Sequence, residues 1–129
     1  MIDIDLRASL LSNTAISSKV GTRVYALRLP QNTRETSIVF DVAGGFPEVQ
    51  AGSLESVVKH NVTLTVYSPS YVDMRQVSDS VVEHWNGMTG AIGTTSVTAA
   101  YVQTTINTYE EEQKLYRTIV LLNIYTLSN

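Results

Sequence analysis

Residues 58–66 read Val58-Lys59-His60-Asn61-Val62-Thr63-Leu64-Thr65-Val66. Side chains of a strand alternate between its two faces. This stretch therefore puts Val58, His60, Val62, Leu64 and Val66 on one face. Lys59, Asn61, Thr63 and Thr65 fall on the other. It is the cleanest period-two pattern in the chain, and it predicts a sheet with one face buried and one wet. On the N-terminal side, Ile38, Phe40 and Val42 alternate with Val39 and Asp41 and predict a second strand ended by Gly44-Gly45. Before it, Thr22 to Leu29 suits a strand that Pro30 closes, because proline lacks the N–H a ladder needs.

Helical spacing brackets this strand group. Leu6, Leu10 and Leu11 give a first helix with Asp3 as its cap. Asn13-Thr14 breaks it, and a helical turn with Ile16 and Val20 stops at Gly21. Beyond the strands, Met74, Val77, Val81 and Trp85 form one stripe at spacings of three, four and four. Ser70 with Asp73 resembles a capping box at the start of this helix, and Gly87 ends it. After a loop from Met88 to Thr95, Ser96–Asn107 and Lys114–Leu127 read as two long strands joined by the loop Thr108–Gln113. Ile119, Val120, Leu121, Leu122 and Ile124 make the last strand apolar on both faces. It belongs in the middle of the sheet, or has a helix on one face and a neighbouring subunit on the other. The expected fold is α+β: a mixed sheet of four to five strands against two main helices, in the order α-β-β-β-α-β-β. The 129 residues suit one domain.

Composition removes several chemistries. The chain has no cysteine, which excludes disulfides, zinc–thiolate sites and thiol nucleophiles. Its net charge of −3 and lack of any Lys/Arg cluster exclude the footprint of a nucleic-acid binder. The start, Met1-Ile2-Asp3-Ile4-Asp5, has no signal-peptide character, and no apolar run reaches the roughly 20 residues that span a bilayer. A cytoplasmic protein without membrane contact is expected. Asn61-Val62-Thr63 is a chance sequon inside a strand.

No residue set points to catalysis, a metal or a cofactor. His60 and His84 are the only histidines, and nothing in the sequence brings a serine near either; both read as core or interface residues. Glu110-Glu111-Glu112 reads as a solvated acidic tip, since calcium loops space their ligands around a glycine turn. Gly87, Gly90 and Gly93 follow a helix, the wrong context for a phosphate cradle. Seven tyrosines against two phenylalanines suit a core with polar handles or an interface.

The segment Leu10 to Pro30 carries a resemblance. Leu10-Leu11, then Ala15-Ile16, then Val20-Gly21-Thr22-Arg23-Val24-Tyr25 and Leu29-Pro30 resemble the opening of the tail-terminator (tail-completion) family of long-tailed bacteriophages. Ile38-Val39-Phe40, Val66-Tyr67-Ser68-Pro69 and the helix from Tyr71 to Trp85 continue it, over roughly residues 6 to 87. The resemblance implies a structural virion protein, not an enzyme. Such a protein forms a hexameric ring that caps the head-proximal end of the tail tube and joins it to the head connector. DNA passes through the lumen without sequence-specific binding, and six copies at −3 each carry −18. A head-completion or stopper protein of the connector is the alternative; a small ligand-binding domain or enzyme is the remote one. The expected contacts with neighbouring subunits or the tube lie in the long loop Gly44–Ser56 (Gly45, Phe46, Glu48, Val49, Glu55) and the loop Thr108–Gln113 (Tyr109, Glu110, Glu111, Glu112). Arg34 and Glu35 join them.

Overall fold

A computed structural model of the chain describes residues 2–49 and 56–128. The elements run α1 (Ile2–Ser12), α2 (Thr14–Val20), β1 (Val24–Ala26), β2 (Ser37–Val49), β3 (Ser56–Ser68), α3 (Tyr71–Trp85), β4 (Gly90–Ile92), β5 (Thr95–Glu110) and β6 (Leu115–Ser128). The six strands form one mixed sheet in the order β1-β2-β3-β6-β5-β4; β1 runs parallel to β2 and every other pair is antiparallel. The α+β expectation holds, with one strand more than predicted. The extra strand, β4, lies in the stretch 88–95 expected to be loop. It is three residues long, and Gly93, at φ +58°, turns it back onto β5.

Asn13 separates the first two helices by capping the second: its Oδ1 accepts from the backbone N–H groups of Ala15 (3.0 Å) and Ile16 (3.4 Å). Gly21 ends α2 at φ +61°. Helix α1 already includes Ile2, so Asp3 sits in its first turn, where its charge suits the helix dipole, instead of capping it. Ser70 Oγ accepts from Asp73 N–H at the start of α3, which is half of a capping box. The Asp73 carboxylate instead meets Lys19 Nζ at 3.3 Å and ties α2 to α3.

All three helices contribute to the layer on one face of the sheet. Leu6 and Leu10 of α1, Ile16 and Val20 of α2, and Met74, Val77, Val81 and Trp85 of α3 are buried against Ile38, Phe40, Val62, Leu64, Val66, Val120, Leu122 and Ile124. The alternation at 62–66 thus points Val62, Leu64 and Val66 inward, and β6 lies between β3 and β5, as its two apolar faces imply. The indole N–H of Trp85 has no acceptor among the described residues, a cost of about 1–3 kcal/mol set against the burial of the largest side chain in the core. No helix among the described residues is long and apolar enough to cross a membrane.

Candidate functional site

The described part of the first expected loop, and half of the second, is strand. β2 continues through Val49, and β3 begins at Ser56. A register shift between Gly44 and Phe46 lets the ladder continue. Gly44 takes φ +95° there, and a Cβ on it would lie 3.2 Å from the Lys59 carbonyl oxygen. Gly45, Phe46, Glu48 and Val49 therefore have backbone positions in β2, while Glu55 lies outside the described residues. Likewise β5 runs through Glu110, so Tyr109 and Glu110 are strand residues and only 111–114 turn. The sequence misled here because glycine, proline and glutamate weaken strand signals that pairing with one neighbouring strand, β3 for β2 and β6 for β5, overrides.

The register assigns these residues to opposite ends of the sheet. Ser56 of β3 pairs with Val49 on one side and Ser128 on the other, whereas Ser68 pairs with Tyr116. The β2–β3 end and the β5–β6 tip are thus separated by the length of β6. Its fourteen residues span roughly 45 Å at about 3.3 Å each. The structure joins Arg34 to the β5–β6 tip: Arg34 Nη1 donates to the Gln113 carbonyl oxygen at 3.0 Å. A cleft of about 340 Å³ between Leu29–Arg34 and Glu112–Gln113 lies there. Glu110 is not a free acid, because Arg117 Nη1 lies 3.6 Å from its Oε2. Beside it, Tyr116 meets Tyr109 and Tyr71 edge-on at centroid distances of 4.9 and 5.6 Å; Tyr71 and Tyr109 remain exposed.

The sheet face away from the helices is the second candidate surface. Val39 and Leu115 are buried on it at the Arg34 end. Farther along, Ile119 and Leu121 are half-buried, Ile106 is 45% exposed, and Tyr101 stacks on Tyr125 with hydroxyls 3.1 Å apart. This is the second apolar side of β6. Among the described residues, no helix packs over that middle stretch.

One cluster was missed from sequence. Ser9 Oγ lies 2.9 Å from His84 Nε2, and Asn13 Nδ2 lies 3.1 Å from His84 Nδ1. The composition matches a Ser-His-Asn triad, contrary to the expectation that no serine meets a histidine, but the protons run the wrong way. Asn13 Oδ1 is committed to the α2 cap, so its amide N–H donates to Nδ1. The imidazole proton then sits on Nε2 and donates to Ser9, leaving no base to take the serine proton. Burial holds the His84 pKa below its ordinary value, which favours this neutral form. The three residues clamp α1, α2 and α3 together. His60 is also held low by burial, opposed by the Asp3 carboxylate, and contacts Thr126 Oγ1 at 3.1 Å.

The residues that suggested a family also have definite structural work. Arg23 Nε donates to the Thr36 carbonyl at 3.0 Å and its Nη2 to that of Lys19 at 3.2 Å, fastening the end of α2 to the start of β2. The family model described as tail completion protein gp17 matches residues 4–127. The chain belongs to this family of tail completion proteins. It is accordingly a structural tail protein. Its fold is similar to that of a chain in the virion of a native gene transfer agent particle. That comparison gives a TM-score of 0.72 over 95% of both chains at 14% identity. No curated protein matches the chain by sequence.

Proposed function

We propose that this tail completion protein assembles as a hexameric ring on the head-proximal end of the tail tube. The ring ends tube polymerisation, offers its other side to the head connector, and lets DNA pass through its lumen. The supporting observation is the separation of two unlike surfaces by the length of the sheet. The Arg34 loop and the acidic tip, with Glu35, Tyr109, Glu110, Glu111 and Glu112, form one end. The β2–β3 arm, with Gly45, Phe46, Glu48 and Val49, forms the other. A head-to-tail ring needs two different complementary patches per subunit, and a cap between two partners needs two different ends. Six copies at −3 each carry −18, which suits a channel that must not grip DNA.

An early nonsense codon in the reading frame tests this by negative-stain electron microscopy of the lysate. Over-length tubes beside filled, separate heads are expected. Normal tails beside heads that leak DNA would assign the protein to the connector as a stopper, and intact virions would refute both roles. Replacing residues 50–55 by a short Gly-Ser turn is expected to leave a folded protein that no longer caps tubes.

A further inference from the structure

Leu27 combines two costs that the isolated fold does not repay. It follows β1 at φ +69°, in the left-handed region that favours glycine, and it is 73% exposed. The Arg28 N–H reaches back to the Ala26 carbonyl at 2.8 Å and closes a tight three-residue turn around it. Glycine would relax this backbone and remove the exposed apolar side chain together. Backbone strain of this kind clusters where a displayed side chain has a function. Next to it, Arg28 is exposed and makes no ion pair or side-chain hydrogen bond among the described residues.

The opposite flank of the sheet carries a cleft. There β4 covers only Thr95–Val97 of β5, and the end of α3 holds Ala100 and Val102 through Gly87 N–H and Asn86 Oδ1. Beyond Val102, no element of the described residues pairs with β5 on that side. A cleft of about 300 Å³ lies between α3 and this bare stretch, with Ser78, Asp79, Val82 and Glu83 on the helix and Thr105 and Asn107 on the strand. Asp79 and Glu83 are one helical turn apart, a like-charge pair that weakens the helix. Arg75 reaches Asp79 only at 4.0 Å, and Glu83 has no ion-pair partner among the described residues. The cleft thus has an apolar wall at Val82 and an acidic rim with little to neutralise it.

We infer that Leu27 of one copy seats in the α3–β5 cleft of the next, with Arg28 on the Asp79 and Glu83 carboxylates. This deepens the ring reading above and rests on it. A head-to-tail ring needs a different patch on each flank of the subunit, and β1 and β5 lie towards opposite flanks. The joint gives an exposed leucine a covered site and sets an unpaired arginine against two carboxylates.

The heights of the two patches agree. With the ends of the sheet facing tube and connector, the ring axis runs along the strands, and rotation about it keeps each copy's rows of paired residues level. Ala26 stands in one row with Phe40, Leu64, Val120 and Thr105, and Val24 in one row with Ile38, Val66, Thr118 and Asn107. β1 therefore lies at the height of the cleft floor, and Leu27 comes one residue farther along, level with Asp41 and Thr104. At this height the β4 strand and the α3 end of the next copy stand beside Val42–Val49 of β2, the stretch that β1 leaves uncovered. The flanks meet side by side without overlap, and no strand of one copy has to pair with a strand of the next.

Leu27→Gly in the full-length chain separates the joint from the fold. Dilute variant should unfold at no lower urea concentration than the parent, because its backbone is relaxed, yet need about tenfold more protein to form rings by light scattering. Arg28→Glu should weaken assembly as well, and adding Glu83→Arg should restore it. A cysteine-free chain also allows a direct test. The Leu27→Cys/Thr105→Cys double variant, bridged with a short bis-maleimide in solution and in assembled tails, should give a covalent ladder ending at six rungs, with neither single variant cross-linking. Rings that survive Leu27→Gly unchanged, or that give no ladder from the cysteine pair, would overturn the joint and leave the ring standing. A ladder from Leu27→Cys alone would mean a two-fold contact and overturn it too. A chain that is monomeric in solution and absent from tails would overturn the ring and the joint together.

Discussion

Leu121 and Leu122 are neighbours on β6, share one residue type, and sit in the same pairing environment between β3 and β5. They differ only in face. Leu122 is 1% exposed beneath the helices and belongs to the core, whereas Leu121 is half-buried on the helix-free face. Leu122→Ala removes the transfer free energy of the lost carbons and leaves a cavity the surrounding helices cannot close, a loss of about 3 kcal/mol. Leu121→Ala removes a partly wet side chain and leaves no enclosed void, so about 1 kcal/mol is expected. Strand propensity changes equally in both and cancels. The assay is urea unfolding of dilute protein followed by fluorescence of the single, buried tryptophan, Trp85. With a slope of about 1.5 kcal/mol per M, the Leu122 variant should unfold at roughly 2 M less urea and the Leu121 variant at well under 1 M less. Equal losses, within about 0.5 kcal/mol, would refute the assignment of faces.

Three further outcomes follow from the same packing. The ordinary histidine pKa of 6.5 is lowered at His84 by burial, so below pH 6.5 the unfolded chain takes up a proton the folded chain resists. Stability should be constant above that pH and fall as pH drops towards the folded value. His60 acts in the same direction. Asn13→Asp replaces the donor at Nδ1 with a carboxylate acceptor, so its expected effect is a weaker pH slope and a raised His84 pKa in an NMR titration. Ser70→Ala removes the α3 cap and should cost about 1 kcal/mol, lowering Tm by about 4 °C in a calorimetric scan; no shift would mean the cap contributes nothing. Gly93→Ala combines a left-handed backbone with a Cβ driven into the Asp5 carboxylate. A loss above about 1 kcal/mol in urea is expected, partly recovered when Asp5→Ala is added, and no recovery would mean that backbone strain alone is responsible.

The short-range patterns were legible wherever one local rule acted alone. The alternation of residues 58–66 gave the inward face of β3, the stripe from Met74 to Trp85 gave the buried side of α3, and the doubly apolar β6 gave its central place. Asn13 and Gly21 marked the limits of α2 because a side-chain acceptor and a permissive backbone are properties of single residues. The family opening could be read from Leu10 to Pro30 for a related reason. Arg23 fastens α2 to β2 across a short span of chain, and that geometry keeps the motif local.

Residue type and period sufficed for the class of fold, the buried faces and the absence of thiol chemistry. Tertiary structure alone decided the rest. It turned Gly44–Val49 and Thr108–Glu110 into strand, since a partner's ladder outweighs weak propensity. It also placed Arg34 on the Gln113 carbonyl and brought Ser9 and Asn13 to His84 in an order that denies them catalysis. Each of these is a contact between residues far apart in the chain, and its register is set by the whole sheet, which no local pattern encodes.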